Sequence, residues 1–190
     1  MPVADRERNN MEFPLIEKSL FVCVDVQEKL LNVIANADAV LARIRVMLLA
    51  AKALNIPVIA TAQYPEKLGW TCPEIKALLP ENTPEFGKTA FSCFGEESFS
   101  RAAAPYETIV LFGVETHVCV LQTALDALNM GKRVILIRDG AGSRKESDKE
   151  AGIDFLRQAG AEIMTSEMLL FLYMRSSRHA SFKEVSRIIK

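Results

Sequence analysis

Short β-rich apolar runs recur along this chain, each followed by apolar residues at helical spacing. That alternation restricts the fold more than any other feature. Leu20-Phe-Val-Cys-Val24 is a buried-strand run that stops at Asp25. Val40, Leu41, Ile44, Met47, Leu48 and Ala51 then form a helical stripe, with Asn36 placed to cap its start and Asn55 beyond its end. Pro57-Val-Ile-Ala-Thr61 is a second strand, and residues 63–95, rich in Pro and Gly, read as a long loop holding a short helix and room for a short strand. A loop of that length in a compact domain is usually functional. A helix over about Glu96 to Ala104 follows, then the strand Ile109-Val-Leu-Phe112, a helix ended by Gly131, and the strand Arg133-Val-Ile-Leu-Ile-Arg138. Ser147-Asp-Lys-Glu150 has the form of a capping box opening a helix to Gln158 with Gly160 as its stop. Ala161-Glu-Ile-Met-Thr165 is a last strand, and one or two helices finish the chain. Such β-α alternation with short crossovers implies a mostly parallel sheet covered by helices on both faces. The 190 residues are expected to form one domain, with residues 1–12 as a flexible N-terminus.

A net charge of −1 suggests neither a nucleic-acid footprint nor a polybasic membrane patch. No apolar stretch is long enough to span a bilayer. The first dozen residues include Asp5 and Glu7, which fits neither a signal peptide nor an acid-poor transit peptide. Four cysteines, at 23, 72, 93 and 119, show no Cys-x-x-Cys spacing and no histidine cluster. A reduced cytoplasmic setting without disulfides, metal or cofactor is the economical expectation.

Cys119 lies about one helical turn past the Ile109 strand, whose run Gly113 ends. From Thr116 the apolar residues Val120, Leu121, Ala124, Leu125 and Leu128 recur at helical spacing. The thiol thus falls near the amino end of a helix and beyond the carboxyl end of a strand, where open α/β sheets place their ligands. The partial positive charge and free N–H groups of a helix N-terminus favour a thiolate and an adjacent oxyanion. A buried small hydrophobe is the competing role for any cysteine, and its position favours function for this one. Asp25 ends the first strand on the same sheet edge. From the residues alone it is equally a partner facing Cys119 across the switch point or the N-cap of the next helix. No Gly-x-Gly-x-x-Gly follows that strand, which sets a dinucleotide site aside.

Asp25-Val-Gln27, Thr61-Ala-Gln-Tyr-Pro65, Gly87-Lys-Thr-Ala-Phe-Ser92 and Gly113-Val-Glu-Thr-His-Val-Cys-Val120 occur in that order. The ordered set resembles the isochorismatase-like cysteine hydrolases, a superfamily that includes nicotinamidases and N-carbamoylsarcosine amidohydrolase. The resemblance covers residues 18–175. It implies a three-layer α/β/α sandwich with six strands in the order 3-2-1-4-5-6. It places a catalytic Asp, Lys and Cys on Asp25, Lys88 and Cys119, and a cis peptide at Val114–Glu115. Spacing alone would leave Lys88 a solvated loop lysine.

This set suits acyl transfer. Asp25 accepts the thiol proton, Lys88 supplies a cation, and Cys119 attacks an amide-like carbonyl. The backbone N–H groups of Glu115 and Cys119 then hold the oxyanion. The family's metal-binding histidines are missing, because only His117 and His179 occur and Thr61-Ala-Gln63 stands where nicotinamidases carry Asp-x-His. Cys119 in turn argues against vinyl-ether cleavage. What remains resembles a metal-free subgroup acting on a small molecule. Gln27, Gln63, Tyr64, Trp70, Phe91 and His117 are candidates for its pocket; loop aromatics also simply pack, and His117 equally suits a helix start or a subunit contact. Two other classes stand beside a C–N hydrolase: a non-catalytic interaction protein, and a thiol redox protein, against which the lack of a neighbouring resolving cysteine counts. Cys119 is expected to have a thiol pKa below the ordinary ~8.5. Cys23 is expected to be inert, and Cys72 and Cys93 reachable in the loop. Met168-Leu-Leu-Phe-Leu-Tyr-Met174, apolar all round, is expected to be buried in the core or between subunits of a homo-oligomer.

Overall fold

A computed structural model describes residues 13–190; the expected flexible segment 1–12 lies outside the described residues. The strands are β1 (Ser19–Val24), β2 (Val58–Gln63), β3 (Glu85–Lys88), β4 (Thr108–Val114), β5 (Arg133–Gly142) and β6 (Glu162–Met164). They form one sheet in the order β3-β2-β1-β4-β5-β6, with every neighbouring pair parallel. The helices are α1 (Glu28–Leu31), α2 (Ala37–Leu54), α3 (Pro65–Leu68), α4 (Pro73–Lys76), α5 (Glu97–Ala103), α6 (Leu121–Asn129), α7 (Glu146–Ala159), α8 (Ser166–Met174) and α9 (Phe182–Ile189).

Strand alternation divides the core. Phe21 and Cys23 of β1, with Val110 and Phe112 of β4, face α2, α8 and α9. Leu20, Val22 and Val24, with Ile109 and Leu111, face α5, α6 and α7. Both faces of the central strands are therefore buried, which is why β1 and β4 read as continuous apolar runs. Each such side chain removed from water contributes about 1.5–3 kcal/mol. Four of the seven residues in the apolar segment 168–174 join this core: Leu169, Leu170, Tyr173 and Met174. Met168 and Phe171 stay exposed.

Two expected caps are not made. Asn36 is left-handed (φ 54) and gives no side-chain cap to α2, whereas Asn55 closes that helix in the same conformation. α7 begins at Glu146 with no side-chain cap from Lys145, so Ser147 of the expected capping box is the second helical residue rather than the cap. Gly160 ends α7 with φ 106, as expected of a left-handed stop.

The sheet edge that carries the site depends on a close approach at Gly113. Its φ is +122, and a Cβ there would stand 2.1 Å from the carbonyl oxygen of Val24 and 2.8 Å from the Val24 nitrogen. β1 and β4 pair through this point (Val24 with Gly113), and the residues that follow each partner are Asp25 and the Glu115–Cys119 turn. Gly113→Ala is expected to destabilise the fold by roughly 3 kcal/mol or more through backbone strain and overlap, read as a lowered urea midpoint.

Candidate active site

Asp25 follows β1 with φ 52, a left-handed conformation that Asp tolerates better than most residues. Its N–H donates to Thr61 O (3.1 Å) and its carbonyl accepts from the Gln27 N–H (2.8 Å), so the chain turns sharply and leaves the carboxylate in the interior. Helix α1 takes Gln27, not Asp25, as its N-cap residue. The Asp25 side chain is fully buried and accepts two hydrogen bonds: Lys88 Nζ at 2.7 Å on Oδ2, and Thr61 Oγ1 at 2.8 Å on Oδ1.

Lys88 ends β3 and is also buried, with its side chain 1 % exposed. Its ammonium is shared among Asp25, Gln63 Oε1 (2.7 Å), Phe91 O (2.9 Å) and Ala90 O (3.4 Å). Burial opposes the ammonium, yet the Asp25 carboxylate and the nearby cysteines hold its pKa above that of an ordinary lysine. The long loop thus folds back after β3 and presents main-chain oxygens to its own lysine. Ser92 Oγ donates to Asp126 (2.6 Å) and the Cys93 N–H donates to Thr123 Oγ1 (2.9 Å), tying the same loop to α6.

Cys119 sits in a π-helical turn, Thr116–Val120, that leads into α6. Both Val118 and Val120 donate their N–H to Glu115 O. The Val114–Glu115 peptide is cis. Glu115 points to Arg144, accepting from its main-chain N–H (2.9 Å) and Nε (3.1 Å), and Thr116 Oγ1 donates to Gly142 O (3.1 Å). The turn is therefore anchored to the end of β5 on one side. On the other, Thr123 Oγ1 donates to Cys119 O at 2.7 Å. Cys119 Sγ donates to Gln63 Oε1 at 3.8 Å, so Gln63 touches both the thiol and the Lys88 ammonium.

The expectation of a depressed thiol pKa at Cys119 is overturned. Burial pushes the thiol up, the negative charge of Asp25 adds to this, and the Lys88 cation only partly opposes it. These effects favour the thiol over the thiolate. The expected reachability of the loop cysteines is corrected too: Cys93 is fully buried and Cys72 is 5 % exposed, beside Cys119 at 6 %. Cys23 is buried within β1, and burial raises its pKa as well.

Of the expected pocket residues, Gln63 stands at the centre. Gln27 does not line an open pocket: it is fully buried, and its amide braces main chain, donating to Gln63 O (2.9 Å) and to Gly69 O and accepting from the Gln63 N–H (2.8 Å). Trp70 borders a cleft of about 360 Å³ with Pro65, Glu66, Gly87, Lys88, Thr89 and Glu96. Tyr64 and Phe91 are exposed. His117 pairs through Nδ1 with Ser143 Oγ (3.0 Å) and packs on Gly152, on the α7 side of the turn. A larger concavity, about 530 Å³, opens at the opposite edge of the sheet, where Lys18 pairs with Glu107 and Lys132 with three carbonyl oxygens. Among the described residues no group of His, Cys, Asp or Glu side chains is arranged to hold a metal ion, and no helix is long and apolar enough to cross a membrane.

A family model for the isochorismatase domain matches residues 19–168. The chain belongs to the isochorismatase family. It is 38 % identical over 172 residues to isochorismatase domain-containing protein 2 of Bos taurus, covering 90 % of this chain and 82 % of that protein. Among solved structures it is similar to the MAR1 ribonuclease of Caenorhabditis elegans, with 36 % identity, a TM-score of 0.90, and 94 % and 92 % of the two chains covered. It is also similar to the Escherichia coli YcaC gene product, described as an octameric hydrolase of unknown specificity, with 26 % identity, a TM-score of 0.86, and 92 % and 89 % covered. The fold is that of the isochorismatase-like hydrolases.

Thr61 and Thr123 were not singled out from sequence, although each fixes a candidate residue. Thr61 could have been found as a polar residue in an otherwise apolar buried strand, and Thr123 as the inward hydroxyl one turn after Cys119. The carbonyls of Ala90 and Phe91 carry no side-chain signal. The electrostatics make opposite demands on two variants. Asp25→Asn is expected to speed iodoacetamide labelling of Cys119 at about pH 8, roughly tenfold for each pKa unit regained, because the raising charge is gone. Lys88→Ala is expected to slow it. Timed peptide mapping checks both.

Proposed function

We propose that the protein is a cysteine-dependent hydrolase of a small amide-type substrate, with Asp25, Lys88 and Cys119 as its catalytic residues. The single observation that carries this reading is the buried contact set that joins the Asp25 carboxylate to Lys88 at 2.7 Å and runs on through Gln63 to the Cys119 thiol. A carboxylate whose charge disfavours the neighbouring thiolate supports a role as proton acceptor for that thiol. Asp25 takes the Sγ proton as the sulfur attacks the carbonyl carbon, and the N–H groups of Glu115 and Cys119 hold the oxyanion. Asp25 returns the proton to the leaving amine, the C–N bond breaks, and a thioester remains on Cys119. Water, deprotonated by Asp25, then attacks the thioester, releasing the acid and restoring the thiol. Lys88 keeps Asp25 oriented and offsets its charge while the thiolate forms. Gln63 aligns the thiol. Trp70, which borders the cleft beside Lys88, is the aromatic residue best supported as a substrate contact.

The ribonuclease name borne by the C. elegans neighbour supports a second reading, phosphodiester cleavage. The buried thiol and the net charge of −1 favour the small amide over a polyanion. Ammonia or amine release from a panel of small amides and ureido acids, beside hydrolysis of single-stranded RNA, tests both. Amide turnover is expected, and it should fall by at least about 10³-fold in Cys119→Ser, Lys88→Ala and Asp25→Asn. RNA cleavage that survives Cys119→Ser, with no amide turned over, would overturn the reading.

We also propose a cytoplasmic homo-oligomer. The exposed rings and thioether at Phe13, Phe171 and Met168 support association, as does the octameric assembly named for the E. coli neighbour. Light scattering is expected to give a mass several times 21.1 kDa, and Phe171→Glu should lower it. A monomer at micromolar concentration would contradict this.

A further inference from the structure

Hydrolysis as proposed uses one thiol, yet a second is built into the same site. Cys93 is fully buried. Its Sγ lies 3.7 Å from Thr61 Oγ1, the hydroxyl that donates to Asp25. Its main-chain N–H donates to Thr123 Oγ1, which itself donates to the carbonyl oxygen of Cys119, so both cysteines are one hydrogen bond from a single oxygen atom. Both thiols lie within electrostatic reach of Lys88, since charge on either raises the lysine's pKa. Burial and the Asp25 charge raise the Cys93 thiol to about 11, and charge on Cys93 also acts on Cys119. The fold thus brings a second cysteine, remote in sequence, into the hydrogen-bond network of Cys119. The two differ in access, because Cys93 is 0 % exposed and Cys119 is 6 % exposed. Only Cys119 meets small solutes first.

We propose that Cys119 and Cys93 form an oxidation site for small hydroperoxides, in which Cys119 is oxidised and Cys93 captures it as an intramolecular disulfide. Asp25 takes the Cys119 proton and the thiolate sulfur attacks the distal peroxide oxygen. The O–O bond breaks, and the leaving alkoxide or hydroxide takes the proton from Asp25. Cys119 is left as a sulfenic acid, its sulfur oxidised by two electrons and the peroxide reduced to alcohol or water. Cys93 sulfur then attacks Cys119 Sγ, the S–O bond breaks, and the hydroxide leaves as water with the Cys93 proton. The disulfide occupies the nucleophile, shields it from further oxidation and is reversed by dithiols.

The purified full chain treated with a small excess of hydrogen peroxide, alkylated and mapped by mass spectrometry tests this without reference to hydrolysis. The expected product is two hydrogens lighter than the reduced protein, with peptides 93 and 119 crosslinked, and dithiothreitol restores the starting mass. Cys93→Ser and Cys93→Ala should instead accumulate Cys119 carrying two or three oxygens that dithiothreitol does not remove, at least tenfold more than the parent chain. Circular dichroism of both variants separates this from unfolding. Irreversible Cys119 oxidation in the parent chain at the variants' rate, or a disulfide to Cys72 or Cys23, would overturn the pairing. A protein that forms the disulfide but turns over no amide would keep this site and lose the hydrolase reading.

Discussion

The buried ion pair between Asp25 and Lys88 is the constraint around which the rest of the site is arranged. Removing a carboxylate and an ammonium from water costs several kcal/mol per ion, and attraction at 2.7 Å offsets that only when the remaining donors and acceptors are also satisfied. The surrounding residues meet that condition. Thr61 occupies the second carboxylate oxygen, while Gln63 and the carbonyls of Ala90 and Phe91 occupy the ammonium. Those partners come from β2 and from the loop after β3. The order β3-β2-β1 exists, in effect, to bring Lys88, Gln63 and Asp25 to one edge.

The same pair bears on the state of the Cys119 thiol. A helix N-terminus and a nearby lysine would by themselves depress a thiol pKa. At Cys119, burial and the Asp25 carboxylate outweigh them. Under the proposed function the thiol ionises as its proton passes to the carboxylate. In our reading a bound carbonyl supplies the occasion. The turn that presents the thiol is held independently of the ion pair, by Glu115 on Arg144, Thr116 on Gly142 and Thr123 on Cys119. Positioning and activation therefore draw on different residues.

The strand-helix alternation was legible because both faces of the central strands are covered, which makes the apolar runs continuous, and the resemblance supplied the strand order. Boundaries and caps were less so. Asn36 and the Ser147 box have the right residue types, but the loops that enter the two helices are held from elsewhere, the Ala35 N–H donating to Ser143 O and the Arg144 N–H to Glu115. Within the site, Asp25 and Cys119 were visible from strand ends, whereas Lys88 depended on the family motif because β3 is short and its loop lacks periodicity. Gln27 has the composition of a pocket residue and the burial of a main-chain brace. Proximity between Cys93 and Cys119 had no local signal, since 25 residues, including α5 and β4, separate them in sequence. The thiol pKa was misjudged because burial is a property of the packed fold.

The most direct test of the central claim is the thiolate titration of Cys119, read as ultraviolet thiolate absorbance of the protein minus that of Cys119→Ser across the pH range. The account predicts no Cys119 thiolate at neutral pH, with the signal appearing only above the ordinary thiol value of ~8.5, and shifting downward in Asp25→Asn. A thiolate already present at neutral pH, or a titration unmoved by Asp25→Asn, would contradict it.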